Sequence, residues 1–170
     1  MTKKEASDKQ EKMVAKFLGW KQVTGSGSRP NSPGDIVGEE WMGECKTHTT
    51  SSHKISFKKS VWIKICDEAN SRFKYPAYFT DDGSQDSSNT WVVFKRTQLP
   101  SNGDYKVYNL NENIGDSYSF SKLPKQAFSS ESMHHIVFAF DFNTSSTDLG
   151  SKRKLYLTLL RNFRDIINLE

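Results

Sequence analysis

The sequence predicts a single α/β domain, a central mixed β-sheet flanked by helices, with a C-terminal extension packed on the same domain. Three observations carry this. Residues 4–18 place Met13, Val14, Phe17 and Leu18 on one helical stripe, with Lys9, Lys12 and Lys16 around it. Residues 56–71 repeat the pattern: Phe57, Val61, Ile65 and Ala69 recur every four residues, with Trp62 and Cys66 beside them. The other apolar runs are short and bounded by Gly, Ser, Asn and Asp, as strands are.

In chain order, Gly19 stops the first helix and residues 20–24 form a short strand. Residues 25–34 are Gly, Ser, Pro and Asn in most positions and read as a loop. A strand follows at 35–37, a turn at 38–40 and the partner strand at 41–47. Side chains alternate along that partner, so Trp41, Gly43 and Cys45 face one side and Met42, Glu44 and Lys46 the other. A polar stretch at 48–54 leads into the second helix. Strands at Tyr75–Thr80 and Trp91–Phe94 come next, separated by an Asp/Gly/Ser loop at 81–89. The order is α-β-β-β-α-β-β, which sets a core at residues 1–100.

The extension at 101–170 opens with a strand at Tyr105–Leu110. Ile136, Phe138, Phe140 and Phe142 then alternate with Val137, Ala139 and Asp141, a strand with an aromatic face. Residues 152–169 read as a closing helix through Leu155, Leu159, Phe163, Ile166 and Ile167, although Leu155, Leu157 and Leu159 also fit a strand.

Composition narrows the function classes. At 35% hydrophobic content, no run approaches the ~20 apolar residues of a membrane span. No apolar stretch follows residues 1–5, so no signal peptide is expected. Cys45 and Cys66 make no disulfide framework, and an intracellular setting is the default. The net charge of +4 resides wholly in residues 1–100, with 16 Lys/Arg against 12 Asp/Glu, while 101–170 hold 8 of each. A basic half is weak evidence for nucleic acid alone and counts for more beside a phosphate-handling motif. There is no Cys-x-x-Cys, His-Glu-x-x-His, Gly-Lys-Ser/Thr or Gly-x-Ser-x-Gly, which argues against zinc, nucleotide-triphosphate and acyl chemistry. Trp20 and Trp62 read as packing residues rather than base-stacking platforms.

The chemistry-bearing residues are Asp35 and, in the next strand, Glu44-Cys45-Lys46. Glu44 and Lys46 are two apart, so they project from one strand face about 7 Å apart. With Asp35 on the neighbouring strand, two carboxylates and an ammonium converge, a minimal site for a hard divalent cation and a scissile phosphate.

The sequence Gly25 to Arg29, Pro33-Gly34-Asp35 and Glu44-Cys45-Lys46, between two helices, resembles the PD-(D/E)xK nuclease superfamily, and within it the Holliday junction resolvases of the Hjc type. The resemblance spans residues 5–95; in one departure, Gly34 separates Pro33 from Asp35. It implies a restriction-endonuclease-like core and a Mg²⁺-dependent DNA endonuclease, with Mn²⁺ able to substitute. The substrate would be a four-way junction cut by a homodimer. Asp35 and Glu44 would hold the metal with the Cys45 carbonyl, and Lys46 would act on water and transition state. These resolvases carry a further carboxylate on the first helix, for which Glu5, Asp8 and Glu11 compete. Glu11 is preferred, because Val14, Ala15 and Leu18 follow it at i+3, i+4 and i+7. Ser28 and Arg29 would contact phosphate beside the scissile bond. Lys54, Lys58 and Lys59 read either as a solvated helix start or as flanking phosphate contacts. Two alternatives are a restriction-like, nicking or repair endonuclease on duplex DNA, and a catalytically silent DNA-binding protein of the same fold.

Overall fold

The computed structural model describes residues 1–23, 33–49, 55–95, 99–103, 105–110, 117–119, 135–142 and 153–169. Ser28, Arg29 and Lys54 lie outside them. The first helix, α1 (Lys3–Leu18), starts on a capping box: the Thr2 hydroxyl accepts from the Glu5 amide, and the Glu5 carboxylate accepts from the Thr2 amide. It ends on Gly19 at φ 72°, the left-handed cap that glycine adopts without strain. Three short strands follow, β1 (Lys21–Gln22), β2 (Ile36–Val37) and β3 (Trp41–Lys46). Next come β4 (Ser56–Lys58), α2 (Lys59–Asn70), β5 (Tyr75–Thr80), a 3₁₀ turn (Ser87–Asn89) and β6 (Trp91–Phe94). The remainder is β7 (Tyr105–Leu110), β8 (Ser117–Ser119), β9 (His135–Phe142), β10 (Arg153–Leu159) and α3 (Leu160–Ile167).

Eight strands form one mixed sheet in the order β1-β2-β3-β5-β6-β10-β9-β7, and β4 pairs with β8 in a separate ribbon. The β3–β5 and β7–β9 pairs are parallel and the others antiparallel. Strand parity sorts the core into two faces. Met42, Tyr78, Val93, Phe138, Phe140, Leu155 and Leu157 pack under Trp62, Ile65 and Ala69 of α2. On the other face Trp41, Cys45, Phe79, Val92, Phe94 and Val137 pack under Val14 and Ala15 of α1 and Leu160, Phe163 and Ile166 of α3. The domain is therefore a single α/β layered unit with helices on both sheet faces. Trp20 packs edge-on against Phe79 and Phe163, and Trp62 is buried. No helix among the described residues is long and apolar enough to cross a membrane.

Two expectations are corrected. The second helix begins at Lys59, not at 56. Phe57 is fully buried against Trp62, Tyr78 and Phe140, which needs an extended chain, and β4 gains ladder partners in β8. The hydroxyls of Tyr78 and Thr80 further donate to the Ser56 carbonyl at 3.4 and 3.3 Å. Residues 152–169 are not one helix. The leucine alternation builds β10, with Leu155 and Leu157 inward, and the helix starts only at Leu160. Strand β10 lies between β6 and β9, pairing with β6 from Tyr156–Phe94 to Leu159–Trp91, so the sheet runs without a break across residue 100.

Candidate functional site

The site lies where β2 begins and β3 ends, two adjacent antiparallel strands. Asp35 enters β2 from a turn whose geometry depends on Gly34. Gly34 has φ +68°, and a Cβ there would come within 2.8 Å of Met42 Cγ and 3.2 Å of the Gly43 carbonyl. Glycine at position 34 is thus what lets the chain turn onto β3 at this point. The Asp35 amide donates to the Gly43 carbonyl and the Asp35 Oδ2 accepts from the Cys45 amide, both at 2.8 Å. These two bonds lock the carboxylate across from the Glu44 position.

Glu44 and Lys46 share a strand face, and Lys46 Nζ donates to Glu44 Oε1 at 2.6 Å. Asp35 and Glu44 are 8% and 4% exposed, two carboxylates withdrawn together from water. Burial, reinforced by the charge of Glu44, pushes the Asp35 carboxyl up to about 6; the Cys45 amide and Lys46 pull it back only in part. Burial alone would lower the Lys46 ammonium, but the attraction and hydrogen bond of Glu44, with Asp35 behind, outweigh it and hold the amine above its usual range. Lys46 is therefore a fixed positive charge at neutral pH. Burial also pushes the Cys45 thiol well up, so its side chain stays a neutral core group and only its backbone faces the site.

Of the three acids on α1, Glu5 is spent on the capping box and Asp8 is half-buried, while Glu11 is 7% exposed and adds to the field that raises Asp35. Glu11 Oε1 accepts from the Ser7 hydroxyl at 3.1 Å and Oε2 from Gln22 Nε2 at 2.8 Å. One residue earlier, fully buried Gln10 donates to the Lys46 carbonyl at 3.0 Å and so fixes the backbone behind the lysine. The exit of β3 is held by the segment that follows β5: the Thr47 hydroxyl donates to buried Asp81, and Gln85 Nε2 donates to Thr47 Oγ1 and the His48 carbonyl at 3.1 and 3.2 Å.

Helix α2 adds two side chains that sequence reasoning missed. Glu68 Oε2 accepts from the Gly34 amide at 2.9 Å, tying the helix to the turn that carries Asp35. Lys64 Nζ lies 3.7 Å from Glu44 Oε2 and 3.6 Å from Glu68 Oε1. The available signal was spacing: Lys64 and Glu68 are i and i+4, on the polar side of a helix whose crossover joins β3 to β5. Lys58 and Lys59 sit at the start of that helix, about one and a half turns before Lys64.

The chain matches no family model, no curated protein and no solved structure. The chemistry is therefore read from the residues themselves. Among the described residues no three His, Cys, Asp or Glu side chains gather into a complete cation cage. Two carboxylates suffice for Mg²⁺, which keeps several waters and demands few protein ligands. The donor set fits that ion. Asp35 and Glu44 offer hard oxygens, both withdrawn from bulk water, where a divalent ion would find carboxylate ligands.

Proposed function

We propose that the protein is a metal-dependent DNA endonuclease with a PD-(D/E)xK-type core, and that its substrate is a four-way junction. The observation that supports this best is the convergence of Asp35, Glu44 and Lys46 at the mouth of an antiparallel strand pair: two buried carboxylates, Asp35 held by the Cys45 amide and Glu44 paired with the Lys46 ammonium. A catalytically silent descendant has no physical need to keep all three, since two carboxylates buried together destabilise the fold.

Asp35 and Glu44 would hold Mg²⁺, with the Cys45 carbonyl available as a third oxygen. When bound, the ion supplies a Lewis acid that neutralises phosphate charge and makes water nucleophilic at neutral pH. The Cys45 amide and Glu68 keep Asp35 in place. Lys46 orients the attacking water and stabilises the extra negative charge on the phosphoryl oxygens as one P–O bond forms and the ester P–O bond breaks. Gln10 fixes the strand that presents Lys46. Glu11, on the α1 side, orders water around the carboxylate pair. Junction specificity and a homodimer follow from the resemblance to resolvases, in which two symmetric cuts call for two symmetric sites.

The test is incubation of the protein with a labelled four-way junction and a matched duplex, with and without Mg²⁺. Cleavage of the junction alone supports the resolvase reading. Equal cleavage of duplex moves the substrate to linear DNA, and no cleavage of either with Mg²⁺ or Mn²⁺ refutes the enzyme.

A further inference from the structure

Both oxygens of Glu44 face a lysine, but the two lysines are held differently. Lys46 makes a 2.6 Å hydrogen bond to Oε1. Lys64 stands 3.7 Å from Oε2, beyond hydrogen-bond length, and its side chain is 55% exposed against 43% for Lys46. Its second partner, Glu68, is on its own helix, one turn on, and turns its other oxygen to the Gly34 amide. Lys64 is thus held loosely between two carboxylates, 3.7 Å from Glu44 and 3.6 Å from Glu68, with no hydrogen-bond-length contact to either.

A hard cation that uses Glu44 needs a carboxylate oxygen and is repelled by an ammonium beside it. Oε2 is the oxygen with the weaker competitor. We propose that Lys64 is a displaceable counter-ion: it neutralises Glu44 while the site holds no metal, yields Oε2 to a divalent cation, and then binds a phosphate oxygen of the DNA along α2. The proposal rests on the nuclease reading and gives it a directional coupling. Without DNA, Lys64 opposes cation binding. With DNA, the released ammonium gains a phosphate partner, so cation and DNA each tighten the other through this residue.

The test uses the full chain, wild type against Lys64→Met and Lys64→Arg, with circular dichroism to confirm that each is folded; Lys64→Gln serves as a second neutral variant. Mn²⁺ alone is titrated calorimetrically. Four-way junction binding is then measured by anisotropy in Ca²⁺ over a range of salt. The expected result is a split in sign. Lys64→Met binds Mn²⁺ about fivefold tighter, the effect of removing one partly exposed charge. It binds DNA more weakly, with the slope of log affinity against log salt reduced by about 0.9. Lys64→Arg returns both properties toward wild type. A purely structural lysine would weaken both. Mn²⁺ affinity that is unchanged or lower in Lys64→Met, or an unchanged salt slope, overturns the proposal while wild-type Mn²⁺ binding leaves the nuclease reading standing. A wild-type protein that binds no Mn²⁺ removes both together.

Discussion

At the scale of single residues, Asp35 combines two opposed properties. Its carboxyl is raised from 3.8 to about 6, so between those pH values the folded chain holds more protons than the unfolded one, and stability falls as pH rises. Above about 6 the whole burden is present, on the order of 3 kcal/mol. Asp35→Asn removes the charge and keeps an oxygen for the Cys45 amide. In EDTA, thermal melts should show the variant more stable than wild type at pH 8 and closer to it at pH 4.5, while Mg²⁺-dependent cleavage is lost. Equal shifts at both pH values would contradict the ionisation argument. Lys46→Ala should lose cleavage by about 10²-fold or more while calorimetry still detects Mn²⁺, because in the proposed mechanism the amine acts on water and transition state. Full activity in that variant would remove Lys46 from the catalytic set. That Glu44 and Lys46 share a face was legible in the sequence because strand alternation is a rule of period two; Asp35, on the neighbouring strand, was singled out by the resemblance. Glu68 and Gln10 were not, because each acts through a backbone group more than thirty positions away, the Gly34 amide and the Lys46 carbonyl.

At the scale of elements, legibility followed how local the stabilising contacts are. Helix α1 declares itself by its stripe, its Thr2–Glu5 box and its terminal glycine, all within one short segment. Thr2→Ala should cost about 1 kcal/mol and lower the melting temperature by about 2–4 °C, with cleavage retained because Glu11 lies two turns further in. Loss of cleavage without loss of stability would show the first turn to be part of the site. The start of α2 was misread because Phe57 fits the helical period, whereas its extended conformation depends on β8, Tyr78 and Thr80, all remote in sequence. Residues 153–167 carry two periods in succession. The switch at Leu160 is set by the Thr90 carbonyl, which accepts the Leu160 amide at 2.9 Å and so ends the ladder beside β6.

At the scale of the whole molecule, strand order was beyond the sequence. Nothing in residues 153–159 specifies β6 and β9 as neighbours except apolar content shared with every other core strand. Three of the eight strands in the main sheet, β7, β9 and β10, come from beyond residue 100, and α3 caps the face that α1 begins. A fragment ending at residue 100 should therefore show no cooperative unfolding transition in urea, and Leu157→Ala in the full chain should cost about 2–5 kcal/mol. A fragment that melts cooperatively and cleaves DNA would show residues 1–100 to be a self-sufficient nuclease core.

The place of β10 also sets an order of events in the cell. Strand β6, with Trp91, Val92, Val93 and Phe94 all destined for burial, leaves the ribosome roughly sixty residues before the strand that covers its edge. At ordinary elongation rates that interval is about 3 to 12 s. Throughout it, an apolar strand edge is open to any other extended chain, including a neighbouring nascent copy. Stalled nascent chains that end before residue 153 should be protease-sensitive and chaperone-bound, and should become resistant once β10 has emerged; resistance before that point would mean that the sheet has another way to close.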